Sequence, residues 1–349
     1  MSMGLSAFSE TFGEEWSAER EKLLEKRIKD LGLKIQGTYL EGIVEQLYRE
    51  MEAAGIKLKP RVYLSDEWSC PDGVPIIGIP FYLADRKLAR LEDEMMEGIE
   101  AETHDEILGY LRHEAGHAFN YAYKLYETEE WRELFGPFTR PYQDDYTPNP
   151  FSRNFVRHLP GWYAQKHPDE DFAESFAVWL RPGSDWREVY KEWGCYRKVL
   201  YVDAIVGKLG QNDPLVTDAG YDPALEELCF SVAEHYRKSR PRLIELPAHF
   251  DNDLKEIFET KVPAGRESEW QPADKFLQSH RREMVRGIAY WTGLNDVIVR
   301  SLINHLIERG KALKLWVNPQ KSQRALLDLL SFSTTLCMNK LYKGDFVIK

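Results

Sequence analysis

One stretch limits the possible folds of this chain more than any other: Glu102-Thr-His-Asp-Glu-Ile-Leu-Gly-Tyr-Leu-Arg-His-Glu-Ala-Gly-His-Ala-Phe-Asn-Tyr-Ala-Tyr123. Thr103 and Glu106 make a capping box, so a helix begins there. Leu108, Leu111, Ala115, Ala118 and Ala122 follow at helical spacing and form an apolar stripe that needs a core. His113 and His117 stand four apart, so adjacent turns present both imidazoles on one face, roughly opposite that stripe. The fold must therefore bury one side of this helix and supply partners for two histidines on the other. Two neutral imidazoles so placed can ligate one Zn²⁺. Glu114, next to His113, stands where a carboxylate can take a proton from metal-activated water. A helix whose histidines merely pack is the plainer alternative. However, random placement of nine histidines predicts only about 0.02 copies of His-Glu-x-x-His in such a chain.

A metal site of this kind needs a third protein ligand. The continuation xxGxxH is excluded, because Asn120 replaces the glycine and Tyr123 the third histidine. The better source is His167-Pro-Asp-Glu-Asp-Phe-Ala-Glu-Ser-Phe-Ala-Val-Trp-Leu180. Pro168 suits a first helical turn, and Phe172, Ala173, Phe176, Ala177 and Leu180 supply an apolar face. Glu170 and Glu174 project together, one turn apart. One can bind the metal while the other accepts a hydrogen bond from a ligating histidine. The alternative is two solvated surface acids. His158 and His167 are further ligand candidates, ranked lower because neither has a matched partner.

The rest of the chain sets the frame. It has 349 residues, 43% hydrophobic and 30% charged, enough for about two domains. Net charge is −11, which argues against a polyanion-binding surface, so nucleic acid is a poor partner. Residues 221–349 hold 20 basic and 17 acidic side chains, leaving −14 on residues 1–220. The break falls in the turn-rich segment 210–223, which suggests domains 1–212 and 213–349. The longest apolar run, Val74–Ala84, is far short of the ~20 residues of a membrane span. The N-terminus lacks a basic and an apolar signal region, and Cys70, Cys195, Cys229 and Cys337 are scattered. A cytoplasmic protein with free thiols is the expectation.

Helices are expected over about 10–31, 39–54 and 85–96, and strands at Arg61–Leu64 and Val74–Leu83. The prolines of the second strand suit an edge, which could hold an extended peptide. Asn295 and Asn318 can cap C-terminal helices ended by Gly310 and Gly344. Residues 292–317 echo a winged helix, with Lys311–Val317 as its first wing strand. The plainer reading, two packed helices and a strand, is favoured, because few basic side chains line the presumed recognition helix. The fold class expected is α+β, predominantly helical, with a small sheet followed by a helical C-terminal region.

The motifs also carry a resemblance. His113-Glu-x-x-His117 with Glu170-x-x-x-Glu174 resembles zinc metallopeptidases of the gluzincin type, and Glu170–Phe176 looks like the corresponding helix of anthrax lethal factor and its relatives. Tyr110–His117 with Arg157–Leu180 is similar to a bacterial family of zinc-binding metallopeptidases, over residues from about 60 to 205. The resemblance implies a zincin-like catalytic domain. Its zinc would sit on His113, His117 and Glu170, with Glu174 orienting a histidine. It further implies that Tyr163, seven residues before Glu170, stabilises the transition state. Two departures stand out: a 53-residue gap from His117 to Glu170, and Glu instead of Asp at 174. Arg140, Arg153 and Arg157 within the gap could bind a substrate carboxylate, or pair with acids such as Asp144 and Asp145.

The function expected is zinc-dependent hydrolysis of a peptide, protein or amide substrate, with Glu114 and Tyr163 catalytic. The alternative is an inactive zincin-like protein whose helical C-terminal half binds protein or nucleic acid.

Overall fold

The Thr103 hydroxyl accepts from the Glu106 N–H while the Glu106 carboxylate reaches back to the Thr103 N–H, and the helix they start runs His104–Ala122. The structure, a computed structural model, describes residues 13–96, 98–143, 146–217, 229–239 and 250–347. Its elements are α1 (Gly13–Glu25), α2 (Tyr39–Ala53), β1 (Arg61–Ser65), β2 (Ile76–Pro80), α3 (Arg86–Met95), α4 (His104–Ala122) and α5 (Glu129–Phe135). Then come α6 (Pro168–Leu180), α7 (Trp186–Val189), α8 (Tyr196–Leu209), α9 (Val232–Ser239) and α10 (Asp251–Ile257). The last are β3 (Gln271–Pro272), α11 (Ala273–Thr292), α12 (Asp296–Ala312), β4 (Trp316–Val317) and α13 (Ser322–Lys343). The class is α+β and predominantly helical, and no helix among the described residues is long and apolar enough to cross a membrane.

The chain divides into two units. The first holds Met1–Asp144, Phe151–Leu159 and Tyr163–Arg240; the second holds Asp145–Pro150, Pro160–Trp162 and Pro241–Lys349. Of the turn-rich segment 210–223, residues 218–223 lie outside the described ones.

In the first unit β1 and β2 pair in parallel, with Arg61 opposite Ile76 and Ser65 opposite Pro80. Every residue of β2 is buried. Its second edge is already bridged: Gly78 N–H donates to Ser69 O at 2.7 Å and Ser69 N–H to Gly78 O at 3.3 Å. At Gly78 that edge is already paired within the chain, and the buried strand serves the core. The expected single buried stripe of α4 is too narrow. From Leu111 to Ala122 the helix is buried on all sides. Its histidine face is covered by α6. A Cβ at Gly116 would lie 2.8 Å from the Ala173 Cα, so only glycine lets α4 and α6 approach this closely. On another side Arg112 grips Glu50 of α2 with two hydrogen bonds of 2.7 and 2.8 Å. Helix α9 belongs to this unit too, through Ile28 N–H to Phe230 O and Val232 N–H to Lys26 O.

The second unit packs α10 to α13 around an apolar core that includes Phe276, Leu277, Ile288, Leu302, Leu306 and Leu329. Asn295 caps α12, which runs two residues past Gly310 to Ala312. Asn318 caps the turn Pro319–Lys321 that leads into α13, and Gly344, left-handed at φ 78°, ends it. Of the stretch expected as a wing strand, only Trp316–Val317 is extended. It pairs antiparallel with Gln271–Pro272, and α13 follows at once.

Candidate metal centre

Four buried acids in succession mark α6: Asp169, Glu170, Asp171 and Glu174. Pro168 occupies the first turn, and His167 caps it by accepting from the Asp169 N–H at 3.2 Å. Facing them on α4 are His113, Glu114, His117 and Asn120, all buried. A polar seam this deep is costly unless its groups satisfy one another or hold an ion.

The groups converge. Glu170 Oε2 lies 2.9 Å from His113 Nε2 and 3.2 Å from His117 Nε2, and the two Nε2 atoms are 3.1 Å apart. A tetrahedral zinc with bonds of about 2.0–2.1 Å keeps its ligand atoms roughly 3.3 Å apart, so this spacing fits. Both imidazoles are held from behind. His113 Nδ1 lies 3.0 Å from Glu174 Oε1, and His117 Nδ1 lies 2.8 Å from Asp169 Oδ2. Glu174 can only accept, so His113 Nδ1 carries the hydrogen and its Nε2 offers a lone pair to the shared point; at His117 the nearby Asp169 charge favours the same tautomer, at ion-pair distance but without hydrogen-bond geometry. Two imidazoles and one carboxylate are a donor set that zinc accepts, and His113, His117 and Glu170 could hold that ion.

The supporting carboxylates are anchored in turn. Glu174 Oε2 accepts from the N–H groups of His158 and Leu159 at 3.2 and 3.0 Å. Asp169 accepts from Asn120 Nδ2 at 2.7 Å and from Tyr121 Oη at 2.5 Å. Asp171 faces Lys198 Nζ. Burial lifts its pKa to about 7 against the pull of that ammonium.

Burial likewise raises the Glu114 pKa, while the neighbouring histidines oppose the rise. Among the described residues nothing hydrogen-bonds its carboxylate. Tyr163 is reached through two left-handed residues, Gly161 (φ 78°) and Trp162 (φ 55°). Its ring lies 5.6 Å from that of His113. Burial and then the Glu170 charge hold its phenol protonated. Its hydroxyl is 3.2 Å from that of Tyr142, which donates to Glu170 Oε1 at 2.7 Å.

Residues 85–204 match the model of a family described as "Putative zinc-binding metallo-peptidase". The family's description names zinc, the metal that the His113, His117 and Glu170 donor set suits. The matched stretch contains α4, α6 and every site residue expected from the sequence: His113, Glu114, His117, Tyr163, Glu170 and Glu174. No curated protein and no solved structure matches the chain.

The two lower-ranked histidines turn away from the centre. His158 Nε2 bonds Gly109 O at 2.9 Å, and His167 Nε2 bonds Arg140 O at 2.8 Å. Arg153 and Arg157 lie over the Trp193 ring, and Asp144 and Asp145, their expected partners, are outside the described residues. Sequence reasoning missed Asp169, Asn120 and Tyr142. Asp169 could have been found as the neighbour of Glu170 in the same first turn. Asn120 lies three residues after His117, on its side of the helix. Tyr142 sits in an aperiodic loop and gives no signal. Cys70, far from both motifs in sequence, is half-buried and close enough to Glu114 and Asp169 for their charges to add to the rise that desolvation causes in its pKa.

Proposed function

We propose that this chain is a zinc-dependent hydrolase of peptide or amide bonds, with His113, His117 and Glu170 as metal ligands and Glu114 and Tyr163 as catalytic groups. The observation that carries the reading is a buried, unbonded carboxylate beside three converging ligand atoms. A site that only held structure would have no use for Glu114. Zinc bound there would supply Lewis-acid activation of a water and of the substrate carbonyl. Glu114 takes the proton of the attacking water and delivers it to the departing amine, a task its raised pKa suits. Tyr163, kept protonated, donates its hydroxyl hydrogen toward the developing oxyanion. Glu174 and Asp169 hold the imidazoles in the ligating tautomer.

The catalytic residues fall in the N-terminal domain proposed for residues 1–212; of the helical domain proposed for 213–349, α9 packs with the first unit, so that domain is placed over Pro241–Lys349. The four free cysteines support a reducing, cytoplasmic setting. The test is Glu114→Gln. Zinc content stays at wild type, and cleavage of a peptide library, read by mass spectrometry, drops about 10²–10⁴-fold. A fully active variant overturns the mechanism.

A further inference from the structure

Three side chains form a partly open rim around the ligand atoms: Tyr142, Tyr163 and Lys166. Their hydrogen bonds have one direction. Tyr142 has a single hydroxyl hydrogen and gives it to Glu170 Oε1, so the Tyr163–Tyr142 contact is donated by Tyr163. Lys166 Nζ in turn approaches Tyr163 Oη at 3.5 Å. The ammonium rests 4.3 Å from the centre of the Tyr142 ring and 5.1 Å from that of Tyr163.

Lys166 is half-buried, and its charge sets it apart from the buried cations of this unit. Arg112 and Lys198 each close on a carboxylate, Glu50 and Asp171. No carboxylate among the described residues pairs with Lys166. Ring faces hold an ammonium in place without neutralising it. The carboxylates of the site are Glu114, Asp169, Glu170 and Glu174, so Lys166 offers an anionic substrate group a point of attraction besides the metal.

We infer that Lys166 is a specificity residue that selects substrates carrying a carboxylate close to the bond to be cleaved, either a C-terminal α-carboxylate or an Asp or Glu side chain. This rests on the peptidase reading above. Lys166 sets one positive charge at the rim of an otherwise acidic N-terminal half, whose overall charge by itself favours neutral or basic substrates.

The test uses the zinc-loaded full chain and matched peptides: one sequence with a free or an amidated C-terminus, and one with an internal Asp or Asn. A charge-assisted contact of about 1.5–3 kcal/mol predicts a preference of about 10–100-fold in kcat/KM for the carboxylate member of a pair. The preference lies in KM, disappears in Lys166→Gln and survives in Lys166→Arg. Preference within the first pair identifies an α-carboxylate, and within the second a side chain. Equal cleavage of both members by wild type overturns the inference. So does a Lys166→Gln loss equal for both, which would mark a purely structural lysine. Peptide binding to the zinc-loaded Glu114→Gln protein, by fluorescence anisotropy, separates the two claims. If wild type cleaves nothing, the peptidase reading fails. Lys166-dependent binding of the carboxylate peptides then still upholds the inference, and binding without discrimination refutes it.

Discussion

Two helix pairs of this chain are both tightly packed, yet they bury opposite kinds of surface. Helices α11 and α12 meet through Phe276, Leu277, Met284, Ile288, Leu302, Ile303 and Leu306. Their buried polar residues bond within their own helices, Thr292 to Ile288 O and Arg300 to Asp296. Helices α4 and α6 meet through His113, Glu114, His117 and Asn120 against Asp169, Glu170 and Glu174. The first pair shows that apolar side chains suffice to hold two helices in this protein. The second therefore carries a desolvation cost that cohesion does not require, and a buried polar set kept at that cost marks a site.

The difference can be broken by substitution. Leu302→Ala should cost about 2–5 kcal/mol of stability, read by chemical denaturation, because the fully buried leucine leaves a cavity. Zinc affinity of the folded protein should not change. Asp169→Ala should weaken zinc about 10–100-fold, measured by competition with a chelator, because His117 loses the group that orients it. If the two variants affected zinc equally, the contrast between the helix pairs would fail.

The smallest effect is a pH response of opposite sign. In metal-free protein burial lowers the His113 pKa, but hydrogen bonds that its ring donates to Glu170 and Glu174 outweigh it and lift the value to about 9. That histidine contributes stability below its unfolded value of 6.5 and loses it as pH rises through 9. His305, on α12, has a pKa lowered first by burial and then by Arg309. Its contribution is present above 6.5 and lost as pH falls below that value. Melting temperatures of chelator-treated protein should therefore drop on the alkaline side, and His113→Gln should reduce that drop, to which His117, also raised, contributes. His305→Gln should lessen only the acid-side loss, to which His158 and His235, also lowered, contribute.

Much of this was legible in the sequence, because local rules decided it. Thr103 with Glu106, Asn295, Asn318 with Pro319, and Gly344 set helix ends by hydrogen bonding within a few residues. The four-residue spacings His113–His117 and Glu170–Glu174 fixed which groups share a face. What escaped depended on tertiary contact. Asp169 points around α6 from Glu170 and meets His117 only because Gly116 lets the helices close. Tyr142 reaches Glu170 from a loop without periodicity, and β2 is buried because Ile77 and Ile79 join the core of the first unit.

The central claim is that α4 and α6 are held together around one zinc ion. Metal analysis of the purified protein after dialysis against metal-free buffer, beside Glu170→Ala, tests it most directly. The account predicts about one zinc per wild-type chain and essentially none in the variant. A wild-type chain that retains no zinc when supplied with it, or a Glu170→Ala chain that keeps it fully, would contradict the account.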